Sequence, residues 1–111
     1  IEEGIKNSNG EIILCTDGDC NVSKHWISAY ASFFADKKPD LVFGPVTFKE
    51  TKYSFFKKLF VQMQIIEFAS LIGSGAASWK AGVPNMCNGA NIAYTTSVFY
   101  EVGGFKGNEQ I

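Results

Sequence analysis

Residues 11–21 read EIILCTDGDCN. A continuous apolar run, Ile12 to Cys15, ends on two aspartates, Asp17 and Asp19, with one glycine between them. An unbroken run of this kind fits a strand buried on both faces, as in a parallel sheet. Upstream, Ile1 and Ile5 at i, i+4, followed by Asn9-Gly10, predict a helix tail closed by a left-handed glycine. Downstream, Ser23 can cap a helix over Lys24 to Lys38 with an apolar face of Trp26, Ile27, Tyr30, Phe33 and Phe34. Lys37 and Lys38 suit its negative end, and Pro39 stops it. Asp40 to Phe48 reads as a second strand, with Gly44-Pro45 marking a bulge or an edge. Strand, helix, strand in this length predicts a βαβ unit, hence an α/β domain whose mainly parallel sheet is flanked by helices.

The remaining chain divides as simply. Residues 51–72 predict a long helix, apolar over most of its circumference, with Ser54, Lys58 and Gln62 as a narrow polar stripe. Such a helix needs cover on several sides. Its thin charged face favours burial between other parts of the protein over a membrane surface with Lys49, Lys52, Lys57 and Lys58 near headgroups. The run GSGAASWKAGVP, residues 73–84, reads as a loop from its small residues. A strand over 86–95 follows, then a short helix from Ser97 to Val102 stopped by Gly103-Gly104.

Composition narrows the function classes. The chain has 111 residues and a net charge of −1, with ten basic residues, all lysine. That is a poor footprint for nucleic acid, which calls for a basic excess and arginine forks. Three cysteines, Cys15, Cys20 and Cys87, make no disulfide framework and point to reduced thiols in a cytoplasmic setting. No uninterrupted apolar run approaches the ~20 residues of a membrane span. The chain starts on Ile1 and stops on Glu109-Gln110-Ile111, which reads as one incomplete domain over 1–111.

The two aspartates need a reason to sit together. At the carboxyl end of a buried strand they occupy the place where open α/β sheets bind ligands. Their repulsion is relieved by a divalent cation, and hard oxygen ligands suit Mg2+ or Mn2+ with open positions for substrate phosphates. A calcium loop of EF-hand type fails, because Val22 and Ser28 stand where glycine and glutamate are required. A haloacid-dehalogenase-type phosphatase, with Asp17 as nucleophile and Asp19 as acid/base, remains an alternative. So does a non-catalytic binding module in which Asp-Gly simply makes a solvated turn. Zinc held by Cys15, Cys20, His25 and Cys87 is less natural than buried thiols and a surface histidine.

A distant segment, NGANIAYTTSVFYEVGGF (88–105), changes the balance. Together with NSNGEIILCTDGDC, the apolar helix after it and the GPV of the second strand, it resembles the family 2 glycosyltransferases, inverting enzymes of the GT-A, Rossmann-like, nucleotide-diphospho-sugar transferase fold. The resemblance runs over nearly the whole chain. It implies that Asp17 and Asp19 form the D-x-D signature, Asp17 near ribose and diphosphate and Asp19 on the metal. It implies that Gly89, Ala90 and Asn91 border the donor sugar and acceptor, and that Gly103, Gly104 and Phe105 lead toward the catalytic base. Phe99, Val102 and Phe105, at helical spacing, read as core.

The family's nucleotide-base pocket would lie upstream of Ile1 and its base beyond Ile111, since Glu109 is a poor match. The implied reaction transfers a sugar from a UDP- or GDP-linked donor to a glycan or lipid-linked acceptor, as in polysaccharide biosynthesis. The isolated piece is expected to be inactive. Self-association through uncovered surfaces, and membrane association of the full-length protein at its cytoplasmic face, stay open.

Overall fold

The computed structural model describes residues 1–48 and 54–106. In chain order the elements are α1 (Glu2–Lys6), β1 (Ile12–Cys15), α2 (Trp26–Lys37), β2 (Leu41–Phe43), α3 (Phe55–Lys80), a 3-10 turn (Gly89–Asn91), β3 (Ile92–Thr95) and α4 (Thr96–Glu101). The sheet order is β1-β3-β2, and β3 runs antiparallel to both neighbours.

This corrects the expected parallel sheet. β1 and β2 do point the same way with a helix between them, as a βαβ unit requires, but they do not pair with each other. β3 fills the gap, pairing Leu14 and Val42 with Ala93, and Cys15 and Phe43 with Ile92. The run IILC reports cover on both faces rather than direction: β1, at an edge of the described sheet, is half-buried along its whole length within an antiparallel pair. Ala93 is fully enclosed between Leu14 and Val42. On the other face Tyr94 stacks with Phe99 of α4 at 5.8 Å, and Phe43 meets Trp79 of α3 at 5.5 Å.

Helix boundaries follow local chemistry. α1 stops at Asn7, which bonds back to the Glu3 carbonyl, rather than at Asn9-Gly10, and Gly10 has no left-handed φ. α2 starts at Trp26 without a side-chain cap; Ser23 contributes its carbonyl to the Trp26 N–H instead. Of its predicted apolar face Phe34 is buried and Trp26 and Tyr30 half-buried, whereas Ile27 and Phe33 are exposed. Thr95 caps α4 by accepting from the Val98 N–H. Gly103, with φ of +82°, ends α4 as predicted: the Gly103 and Gly104 N–H groups bond the Tyr100 and Phe99 carbonyls. Phe99 is core, but Val102 is 71% exposed and Phe105 44% exposed, so only one of that predicted trio is buried.

α3 runs through the segment expected to be a loop. Its stop is Gly82, with φ of +78°, where the Gly82 and Val83 N–H groups bond the Trp79 and Ser78 carbonyls. The small residues before it serve the helix. Ser70, Ser74 and Ser78 donate to carbonyls one turn back, and a Cβ on Gly75 would come within 2.8 Å of Met86 Cγ. Gly75 is therefore a close-approach glycine, and the chain returning after Gly82 packs on it: Trp79 Nε1 donates to the Met86 carbonyl at 2.8 Å.

α3 is also far more exposed than burial between other parts would make it. Val61, Ile65, Phe68 and Ile72 are half-buried on one face. Phe55, Phe56, Leu59, Phe60, Met63 and Ile66, on the opposite face, are between 55% and 81% exposed. By length and composition α3 is apolar enough to cross a membrane, with a mean hydropathy of 1.3, although it contains no uninterrupted apolar run of that length.

Candidate active site

The register dictates where a site can form. Because Cys15, Ile92 and Phe43 lie side by side, the ends of β1 and β2 and the start of β3 share one margin of the sheet. Three segments leave that margin: Thr16–Ser23, Pro45–Phe48 and Asn88–Asn91. With Trp26 from α2 and Phe68 from α3 they line a cleft of about 860 Å3.

Asp17 and Asp19 stand on one wall. The Cys20 N–H donates to the Asp17 carbonyl at 3.1 Å, which folds Asp17–Cys20 into a turn and brings both carboxylates to the same side. Gly18 makes this turn without a left-handed φ. A carboxylate oxygen from each aspartate and the Cys20 thiol lie within 4.8 Å of one another, the aspartates exposed and Cys20 half-buried. Two hard oxygens at that separation suit Mg2+ or Mn2+ with substrate oxygens completing the shell. Among the described residues His25, Cys15 and Cys87 join no such cluster.

Of the other predicted residues, Ala90 and Asn91 line the cleft and Gly89 sits beside them in the 3-10 turn, outside the lining. That turn is capped by Asn88, whose Oδ1 accepts from the Ala90 N–H at 3.0 Å. Gly103, Gly104 and Phe105 are not brought to the cleft; they close α4, with Phe105 against Phe99 at 5.4 Å. Glu109, Lys49 and Lys52 lie outside the described residues.

Sequence reasoning missed the polar side of α2. Asn91 Oδ1 accepts from Trp26 Nε1 at 2.9 Å and from the Tyr30 hydroxyl at 2.8 Å, and Asn91 Nδ2 donates to the Pro45 carbonyl at 3.0 Å. Burial raises the Tyr30 hydroxyl pKa above the ordinary tyrosine value. A tryptophan and a tyrosine at i, i+4 satisfy an apolar-face pattern while each still carries a donor, and that was the available signal. The Gly44-Pro45 pair, read as a bulge or edge, is where the chain passes closest to this amide. A Cβ on Gly44 would overlap Asn91 Nδ2 and stand 2.9 Å from the Tyr30 hydroxyl.

Residues 1–103 match the profile of Glycosyl transferase family 2. The chain belongs to that family. Membership implies the GT-A nucleotide-sugar transferase fold, and a nucleotide-sugar donor with an acceptor. It displaces the phosphatase alternative. No curated protein and no solved structure matches the chain.

Proposed function

We propose that this family 2 glycosyltransferase chain is the central part of a larger catalytic domain that moves a hexose from UDP or GDP to a glycan or lipid-linked acceptor with inversion. The observation that carries the reading is the convergence of Asp17 and Asp19 at the wall of a cleft large enough for a nucleotide sugar, in a chain of this family. Four buried apolar side chains (Ile5, Phe34, Ala93 and Phe99) are a thin core for the described residues, which supports a domain completed by further chain.

Asp17 and Asp19 would hold Mg2+ or Mn2+, Asp19 as the principal ligand. A divalent ion there supplies charge neutralisation of the donor diphosphate and so a better leaving group. Ala90 and Asn91 border the far side of the cleft, and Gly89 opens the 3-10 turn that holds them. Single displacement by an acceptor hydroxyl on the anomeric carbon inverts configuration, and the general base it needs is carried outside residues 1–111. Three free thiols agree with a cytoplasmic setting. The outer apolar face of α3, from Phe55 to Ile66, would rest on the cytoplasmic membrane surface.

The exposed Asp17–Cys20 turn also favours a plainer reading, a solvated turn on a binding module. One experiment decides between them. Calorimetric titration of the full-length protein with Mn2+ and UDP or GDP should show metal-dependent nucleotide binding that Asp19→Ala abolishes. Binding indifferent to that substitution leaves the turn with no catalytic duty.

A further inference from the structure

The loop that carries the two aspartates is fastened at both ends to adjacent residues. Cys15, just before it, pairs with Ile92, and Trp26, just after it, donates its indole N–H to Asn91 Oδ1 at 2.9 Å. Tyr30, one turn further along α2, gives a second hydrogen bond to the same oxygen at 2.8 Å. Asn91 also ties down the opposite wall, through Nδ2 to the Pro45 carbonyl at 3.0 Å and through its own carbonyl, which accepts from the Gly44 N–H at 2.8 Å. Within the loop, the braces are two backbone bonds, Cys20 N–H to the Asp17 carbonyl and Trp26 N–H to the Ser23 carbonyl. The Asp17–Cys20 turn sets the spacing of the two carboxylates, and where the loop ends are held sets the place of the pair at the cleft. Releasing the α2 end would let the loop sample many arrangements, and binding would have to restore order that is now built in.

Resting on the metal-centre reading above, we propose that Asn91 is a positioning residue. Its amide closes the aspartate-bearing loop through Trp26 and Tyr30. Affinity for a divalent ion with a nucleoside diphosphate is then set partly by a side chain outside the ligand set. Partners that orient metal ligands are typically worth roughly ten- to a hundredfold in metal affinity. The Oδ1 bonds matter most, because they act on the loop; the Pro45 bond fixes the facing wall.

The test is Mn2+ titration in the presence of UDP, and separately GDP, on the full-length protein and four variants. Asn91→Ala removes the whole junction, Trp26→Phe removes only the indole donor, Asp19→Ala removes a ligand, and Phe99→Leu loosens the core away from the cleft. We expect Asn91→Ala and Trp26→Phe to weaken Mn2+ binding by about tenfold or more with unchanged circular dichroism, and Phe99→Leu to lower the melting temperature without weakening it. Should Asn91→Ala fail to fold, Trp26→Phe carries the test alone. Wild-type affinity in Trp26→Phe, with binding lost in Asp19→Ala, overturns the positioning role and leaves the metal centre standing. Equal losses in Phe99→Leu and Trp26→Phe overturn it as well, since the effect is then general softening. Unchanged binding in Asp19→Ala removes the metal centre itself.

Discussion

The margin of the sheet and the long helix α3 are built on opposite plans. At the margin the elements are short, three or four residues per strand, yet side chains distant in sequence are bonded to one another: Trp26, Tyr30, Pro45 and Asn91 meet within hydrogen-bonding distance. α3 is 26 residues long and satisfies its backbone internally; among the described residues its ring and close-approach contacts with the rest of the chain are at Phe68, Gly75 and Trp79, in its second half. Helix length and burial are thus independent here. The short, cross-linked region has the geometry for chemistry, and the long one has uncovered apolar surface.

If that contrast is right, substitutions should sort by region. The largest effect is expected at Phe99, which lies under Tyr94, Tyr100 and Phe105. Phe99→Ala should destabilise by about 3–5 kcal/mol, read as the shift of a urea transition. A loss under ~1 kcal/mol would mean that the thin core is not what holds the sheet.

Gly44→Ala comes next. Its new methyl must displace the Asn91 amide or the Tyr30 hydroxyl, so a loss of roughly 1–3 kcal/mol is expected. Chemical shifts of the Trp26 indole N–H should move in the same variant; a silent indole would separate the two walls.

A smaller, pH-dependent effect belongs to Tyr94. Its hydroxyl pKa is pushed up to about 12, first by burial and then by the Cys15 thiol 3.7 Å away. A phenol held neutral by the fold lends stability that is complete below its ordinary pKa of 10.0 and is lost as pH rises through about 12. Phenolate absorbance should therefore rise late for this residue, and Cys15→Ala should bring it earlier. Titration near 10 with the fold intact would contradict the buried pairing.

The smallest effect on folding is expected on the outer face of α3. Phe56→Ser with Phe60→Ser should change stability by only about 0.5 kcal/mol per site, while reducing co-sedimentation with anionic lipid vesicles. Unaltered sedimentation would remove the membrane role from that face.

How far the sequence could be read divides along the same line. Strand β1, the limits of α2 near Lys38-Pro39, the Gly103 stop and the convergence of Asp17 with Asp19 were legible, because each rests on neighbours in the chain. Three things were not. Strand direction was hidden because β3 arrives from far along the chain and its pairing leaves no mark on IILC. The end of α3 was hidden because Gly73, Ser74, Gly75 and Ser78 look like a loop until the chain that packs on them is in view. The Asn91 junction was hidden because its donors double as apolar residues. Local chemistry announces itself locally, and a hydrogen bond across 65 residues does not.

The late arrival of β3 has a further consequence, for synthesis. The strand that joins the sheet is the last of the three to be made, roughly fifty residues after β2. At about 5–20 residues per second, the ribosome leaves β1 and β2 without their common neighbour for several seconds. Through that interval both strands offer unpaired edges in the cell. A nascent chain of this design should lean on ribosome-associated chaperones, and stalling translation between Phe43 and Ile92 should raise its aggregation more than stalling after Thr96.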